Sequence, residues 1–163
     1  MSDGQFMNKE IKKQIDDWDF IQNLSLDVLK VLNDKQLEFT VGKNMGTLGE
    51  QFRHMIRVRF QYAEAIETKK VDDVIEEIDT VVAKSKTMLL ELWEKANKKL
   101  LNVLENTNTD LIIDWKHWGV DSMDITDHLN ALMDHETLHN GQIIVYLRTM
   151  GFPFPKSWEA WGL

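Results

Sequence analysis

Cysteine is absent from the 163 residues, and with it go disulfides, thiolate metal sites and a cysteine nucleophile. Proline is nearly absent as well: the only two, Pro153 and Pro155, lie near the end, so nothing before them interrupts a long helix. No apolar run approaches the roughly 20 residues that span a bilayer. The start, Met1-Ser-Asp-Gly-Gln-Phe6, has neither a basic nor an apolar leader segment, so a cytoplasmic protein with no membrane partner is expected. Basic charge is also scarce. Lys and Arg number 19 against 27 Asp and Glu, a net charge of −8 spread along the chain, which argues against the basic face that nucleic-acid binding requires.

What remains is a chain of one-domain length, 43% hydrophobic and 28% charged, in the range of ordinary soluble proteins. Leu, Met, Lys, Glu and Ile dominate, which favours helix. There is no internal repeat and no low-complexity tract. From about Asn8 to Leu32 apolar residues recur at helical spacing, from Ile11, Ile15 and Trp18 to Leu29 and Leu32, which predicts a first helix. Residues Asn33 to Gly46 lose the period and read as a connecting loop. Thr47-Leu-Gly-Glu50 matches a capping box and starts a second helix. Its inward stripe is Leu48, Phe52, Met55, Val58 or Arg59, Tyr62 and Ile66, ending at Glu67-Thr-Lys-Lys70. His54, about 100° from Met55, falls at the edge of that stripe, where an imidazole lines a groove between helices or faces solvent.

Val71 to Thr80 is acidic and mixed, a short helix or an exposed crossing segment. Val81 to Glu105 regains the helical period through Leu89, Trp93, Ala96 and Leu100, and Asn106-Thr-Asn-Thr-Asp110 ends that third helix. Leu111 to Met123 alternates, with Gly119 near its middle, which predicts a short hairpin leaning on the helices. Asp124 caps the fourth helix, and Gly151 followed by Pro153 and Pro155 stops it. Gly141 inside that helix predicts a close backbone approach. The tail from Phe152 to Leu163 is rich in aromatics and should pack across a bundle end or on a second subunit. The six tryptophans read as core and interface mass. The fold expected is all-α: a single domain over residues 1–163, a four-helix up-and-down-type bundle with one longer crossover and a hairpin-like excursion before the last helix.

The fourth helix carries the chemistry. At 100° per residue, with His135 as origin, His139 lies at about +40°, His128 and Tyr146 at about +20° and Gln142 at about −20°. Leu138 and Val145 on one side, and Leu132 and Ile143 on the other, suggest that this polar stripe faces inward. A buried row of imidazoles needs a partner, and a metal ion is one. His135 and His139, one turn apart, can ligate a single ion from the same side but leave the site short of a third ligand. Two hydrogen-bonded core histidines would give the same pattern.

His135-Glu136-Thr-Leu-His139 is also HExxH, the zinc-protease motif, in which Glu136 would be the general base; Glu159, twenty residues past His139, would be a candidate third ligand. Such enzymes set the motif helix beside a sheet that holds an extended peptide, and no such sheet is predicted here. Gly141 comes one place early for the longer histidine-rich motif, position 145 is not histidine, and Glu136, about 100° from the stripe, is expected to face solvent.

Four long helices with a long second-to-third crossing, Thr47-Leu-Gly-Glu-Gln-Phe-Arg-His54, His135-x-x-x-His139-Asn-Gly-Gln-Ile143, Tyr146-Leu-Arg148 and Gly151 resemble the DinB-like superfamily. That group includes damage-inducible proteins and low-molecular-weight-thiol S-transferases of the bacillithiol type. The resemblance implies a metal held by His54, His135 and His139, zinc or nickel, with open coordination positions. It implies thiol transfer or hydrolysis on a small-molecule substrate, and with no cysteine in the chain a thiolate would come from a low-molecular-weight thiol cofactor. Gln142 and Tyr146 would orient ligands or line the substrate pocket. His128, two turns or about 10 Å from His135, would act behind the ligands or simply as a core histidine. His117, in the hairpin, reads as surface. The alternative is a non-catalytic bundle stabilised by metal or binding a partner through its aromatic tail. A homodimer is compatible with the apolar faces and the tail.

Overall fold

A computed structural model describes residues 8–72 and 78–163. The reading of Met1 to Phe6, and residues 73–77 of the acidic crossing, lie outside the described residues. Helix α1 (Lys9–Val31) starts at Asn8, whose side chain accepts from the Glu10 amide at 2.8 Å. The expected loop after it contains a one-turn helix, α2 (Asp34–Leu37), closed by a capping box between Asn33 and Gln36. Helix α3 (Leu48–Thr68) begins as its sequence predicts: the Glu50 amide donates to Thr47 Oγ1 at 3.2 Å and the Thr47 amide to Glu50 Oε2 at 2.6 Å. Helix α4 (Lys86–Glu105) starts later than the periodicity suggests, because Thr80–Lys84 form a separate 3₁₀ turn and Ser85 caps the α-helix. Helix α5 (Ile125–Met150) is capped by Asp124 and ends at Gly151, whose φ of 65° is the left-handed conformation that glycine adopts without strain.

Two core clusters give the direction of each helix. One gathers Leu29 from the end of α1, Phe52 from the start of α3, Leu89 and Trp93 from the start of α4, and Leu147 from the end of α5. The other gathers Ile11, Ile66, Leu104 and Ile125 from the opposite ends. The bundle therefore runs up, down, down, up, and the single long crossing between α3 and α4 is what lets those two helices run parallel. α3 packs against α4 and α5, and α1 against α5 and α4.

The excursion before α5 is a hairpin of β1 (Ile112–Asp114) and β2 (Ser122–Asp124), with a 3₁₀ turn at Lys116–Trp118 and Gly119 at φ 80°. It leans on the bundle through backbone atoms: the Val71 amide donates to the Asp114 carbonyl at 2.8 Å, and the Asp114 amide to the Lys69 carbonyl at 2.9 Å. The tail folds back over the end of the bundle, where buried Trp158 donates from Nε1 to the Leu24 carbonyl at 3.0 Å. Among the described residues no helix is long and apolar enough to cross a membrane.

The close backbone approach expected at Gly141 is found instead at Gly49. Gly141 is exposed and a Cβ there would meet nothing within 4 Å among the described residues, so no close approach there explains it. Gly49 is the tight one: a Cβ would sit 1.8 Å from the Ala83 carbonyl oxygen, where the 3₁₀ turn before α4 crosses the start of α3.

Candidate metal centre

The early part of α3 presents His54 to the middle of α5, where His135 and His139 stand one turn apart. His135 Nε2 lies 3.1 Å from His54 Nε2 and 3.1 Å from His139 Nε2. Ligating atoms of all three residues fall within 4.8 Å of one another. A ring nitrogen carries at most one hydrogen, so His135 Nε2 cannot donate to both neighbours. One cation shared by all three fits the spacing, because nitrogens bound at about 2.0–2.1 Å and about 90–109° apart are separated by about 2.8–3.4 Å. The His139 ring is set by Gln51, one turn before His54 on α3, whose Oε1 lies 3.2 Å from His139 Nδ1. A proton on Nδ1 leaves Nε2 with its lone pair free.

Burial favours the neutral form of each ring. It lowers His54 to about 4, helped by His139 and then by Arg57 and Arg53. It lowers His135 to about 3, helped by His139, His54 and Arg59. His139 is also lowered by burial, against a hydrogen bond with Gln142. At neutral pH the three imidazoles are therefore uncharged and able to ligate.

The histidines do not lie at the centre of the inward face of α5. That centre holds Leu132, Glu136, Asn140 and Ile143, while Leu138 and Val145 are 63% and 51% exposed. The expected flanks on the Leu138 side thus point to solvent, and the histidine stripe forms the margin of the buried face, at the seam with α3. The solvent-facing reading of Glu136 is overturned too. Its side chain is fully buried and its Oε1 accepts from Arg59 Nε at 2.9 Å. The Arg59 guanidinium lies over the Trp93 ring at 4.0 Å and the Trp18 ring at 5.2 Å, and donates to Asn97. Asn97 Nδ2 and Trp93 Nε1 both donate to Gln22 Oε1, at 3.2 and 2.8 Å. All four long helices meet in this buried polar network, directly behind His135.

The DinB family profile matches residues 7–158. The chain belongs to the DinB family. Its fold is similar to that of a DinB-like protein from Bacillus cereus ATCC 10987, with a TM-score of 0.73 and 21% identity over 88% of this chain and 95% of that one. It is also similar to a DinB-like protein from Bacillus subtilis, with a TM-score of 0.64 and 18% identity over 92% of this chain and 98% of that one. No curated protein matches the sequence significantly.

Within this DinB-family bundle the remaining candidates divide by position. Gln142 lies against His139. Tyr146 is buried and donates from its hydroxyl to the Gly46 carbonyl, pinning the loop that leads into α3. His128 belongs to the far cluster: Trp115 Nε1 donates to its Nδ1 at 3.2 Å, so the ring proton is on Nε2, which donates to the Tyr62 carbonyl at 3.1 Å. His117 is exposed in the hairpin turn, and Glu159 is exposed in the tail and outside the histidine cluster. Sequence reasoning missed Gln51, Asn97 and Gln22. For Gln51 the signal was its place one turn before His54 on the same face; Gln22 and Asn97 carried none, because only packing shows which partner each meets.

Proposed function

We propose that this DinB-family protein is a divalent-metal-dependent enzyme acting on a small molecule, a thiol S-transferase or a hydrolase, with zinc or nickel held by His54, His135 and His139. The observation that carries the reading is the convergence of three imidazoles on one point, with no fourth ligand in the cluster among the described residues. Three protein ligands leave room for water or substrate, as in catalytic rather than structural sites. A divalent ion held there would lower the pKa of a bound water or thiol enough to make it a nucleophile near neutral pH. A thiolate would have to come from a low-molecular-weight thiol, since the chain has no cysteine. Gln51 orients the His139 ring, and burial at the α3–α5 seam keeps the histidines unprotonated.

The protease reading loses its general base. The Glu136 carboxylate is sealed from solvent and engaged by Arg59, so it cannot take a proton from a water beside His135. The partner-binding alternative gains no support from the tail, whose Trp158 is committed to the protein's own core.

The test is elemental mass spectrometry on untagged protein, wild type beside His54→Ala, followed by thiol-transfer and hydrolysis assays. Near-stoichiometric divalent metal in the wild type, lost in the variant, supports the reading. Metal retained by His54→Ala, or absent from supplemented wild type, overturns it. A loaded site with neither activity would leave the non-catalytic, metal-stabilised bundle.

A further inference from the structure

His54 also lines a cavity of about 370 Å³, together with Arg53, Arg57, Ile78 and Thr80. We propose that this cavity is an anion subsite, which takes the carboxylate or phosphate of a substrate or thiol cofactor whose reacting end meets the three histidines. The inference deepens the metal-dependent reading and rests on it for the second half of that statement.

Three observations carry it. The first is charge. A chain with net charge −8 places two guanidinium groups and, among the described residues, no carboxylate in one cavity wall. Among the described residues no acid pairs with either guanidinium. Arg53 and Arg57 are also one helical turn apart, an arrangement of like charges that is mildly unfavourable without an anion between them.

The second is orientation. Arg53 Nη1 donates to the Ile78 carbonyl at 2.7 Å, which tethers the guanidinium to the segment before the 3₁₀ turn. Its Nε is buried and without a hydrogen-bond partner among the described residues. The group is thereby held in the wall of the cavity, with Arg57 one turn further along α3 beside it.

The third is continuity. His54 lines the cavity and at the same time has its Nε2 3.1 Å from His135 Nε2. Thr80 adds a hydroxyl and Ile78 an apolar wall, and the volume is that of a small-ligand site. A molecule anchored by its anionic end at Arg53 and Arg57 therefore has the histidine cluster as its next neighbour.

The test is isothermal titration of inorganic phosphate, and separately of succinate, into the full chain at low salt. Wild type is compared with Arg57→Gln, Arg57→Lys, Arg53→Gln and His139→Ala, with melting temperature and metal content recorded on the same samples. Wild type should bind one equivalent saturably. Arg57→Gln and Arg53→Gln should each weaken binding at least tenfold. Arg57→Lys should weaken it less, because it keeps the charge but loses the fork. His139→Ala should stay within about threefold of wild type, since its lesion is in the metal site. Preference for phosphate or for succinate identifies the anion's chemistry, and either supports the subsite. No saturable binding by wild type, unchanged affinity in a folded Arg57→Gln, or a loss confined to His139→Ala, which would put the anion on the metal, overturns it. Anion binding without any metal defeats only the metal-dependent reading, and metal without anion binding defeats only this one.

Discussion

Arg59 and Glu136 form an ion pair in which neither side chain reaches solvent, and Glu136 is the residue next to His135. Desolvating two charges is expensive, and the pair is compensated by the stacked Trp93 and Trp18 rings and by Asn97. Its effect is positional: α3 and α5, which carry the three histidines, are joined at a fixed height one turn beyond His54.

Removing one member leaves the other as a lone buried charge. Glu136→Gln should therefore lower stability by roughly 3–5 kcal/mol in urea denaturation. Arg59→Met combined with Glu136→Leu should recover most of that loss. Glu136→Gln should still bind metal at neutral pH wherever it is folded. Selective loss of metal from the folded variant would make Glu136 part of the site.

Metal added to the wild type should raise its melting temperature, with about 2.7 kcal/mol of stabilisation at a hundredfold excess over Kd. His139→Ala should show no such rise. Differential scanning fluorimetry with and without a chelator checks both, and an equal rise in the two proteins would place the ion elsewhere.

His128 gives a pH dependence of definite sign. Burial lowers it to about 4, against the hydrogen bond to the Tyr62 carbonyl. The unfolded chain takes up this proton near 6.5 and the folded protein does so only near 4. The folded state is thus fully favoured above pH 6.5 and loses about 3 kcal/mol from this residue as pH falls towards 4. Denaturation of wild type and His128→Gln across that window should show a shallower slope in the variant, and equal slopes would contradict the assignment.

Gly49→Ala and Gly141→Ala should move stability in opposite directions. The first drives a methyl group into the Ala83 carbonyl and should cost about 3 kcal/mol, because backbone must shift. The second meets nothing and should stabilise α5 by up to about 1 kcal/mol. Thermal melts of the two variants suffice.

The sequence was informative where a local rule decides structure. Thr47 with Glu50, Asp124 and Gly151 mark helix ends because the groups they satisfy lie within a few residues. The start of α4 was misplaced because Val81 and Val82 continue an apolar pattern, while the Ser85 cap is legible only once the 3₁₀ turn before it is known. On α5 the spacing of His135 and His139 was readable. The true inward direction was not, because Leu138 and Val145 look like core and Glu136 looks like surface until Arg59 supplies its partner from a helix 77 residues away. His54 came from the family resemblance rather than from its own neighbours. Arg53 and Arg57 drew no notice, since a basic pair on a helix normally faces water.

The hairpin before α5 has a consequence for how freely this protein can change. Its clamp on the end of α3 consists of the amides and carbonyls of Lys69, Val71 and Asp114. Its last strand residue, Asp124, is also the cap from which α5 departs. Main-chain atoms are common to every amino acid, so the ribbon can exchange its exposed side chains, or vary in length at its tip, while the clamp persists. A residue inserted between Asp124 and His135 is another matter. It would rotate everything beyond it by about 100° and advance it by about 1.5 Å, carrying both histidines away from His54. Length variation should accordingly be tolerated at the ribbon's tip and rejected in the first three turns of α5.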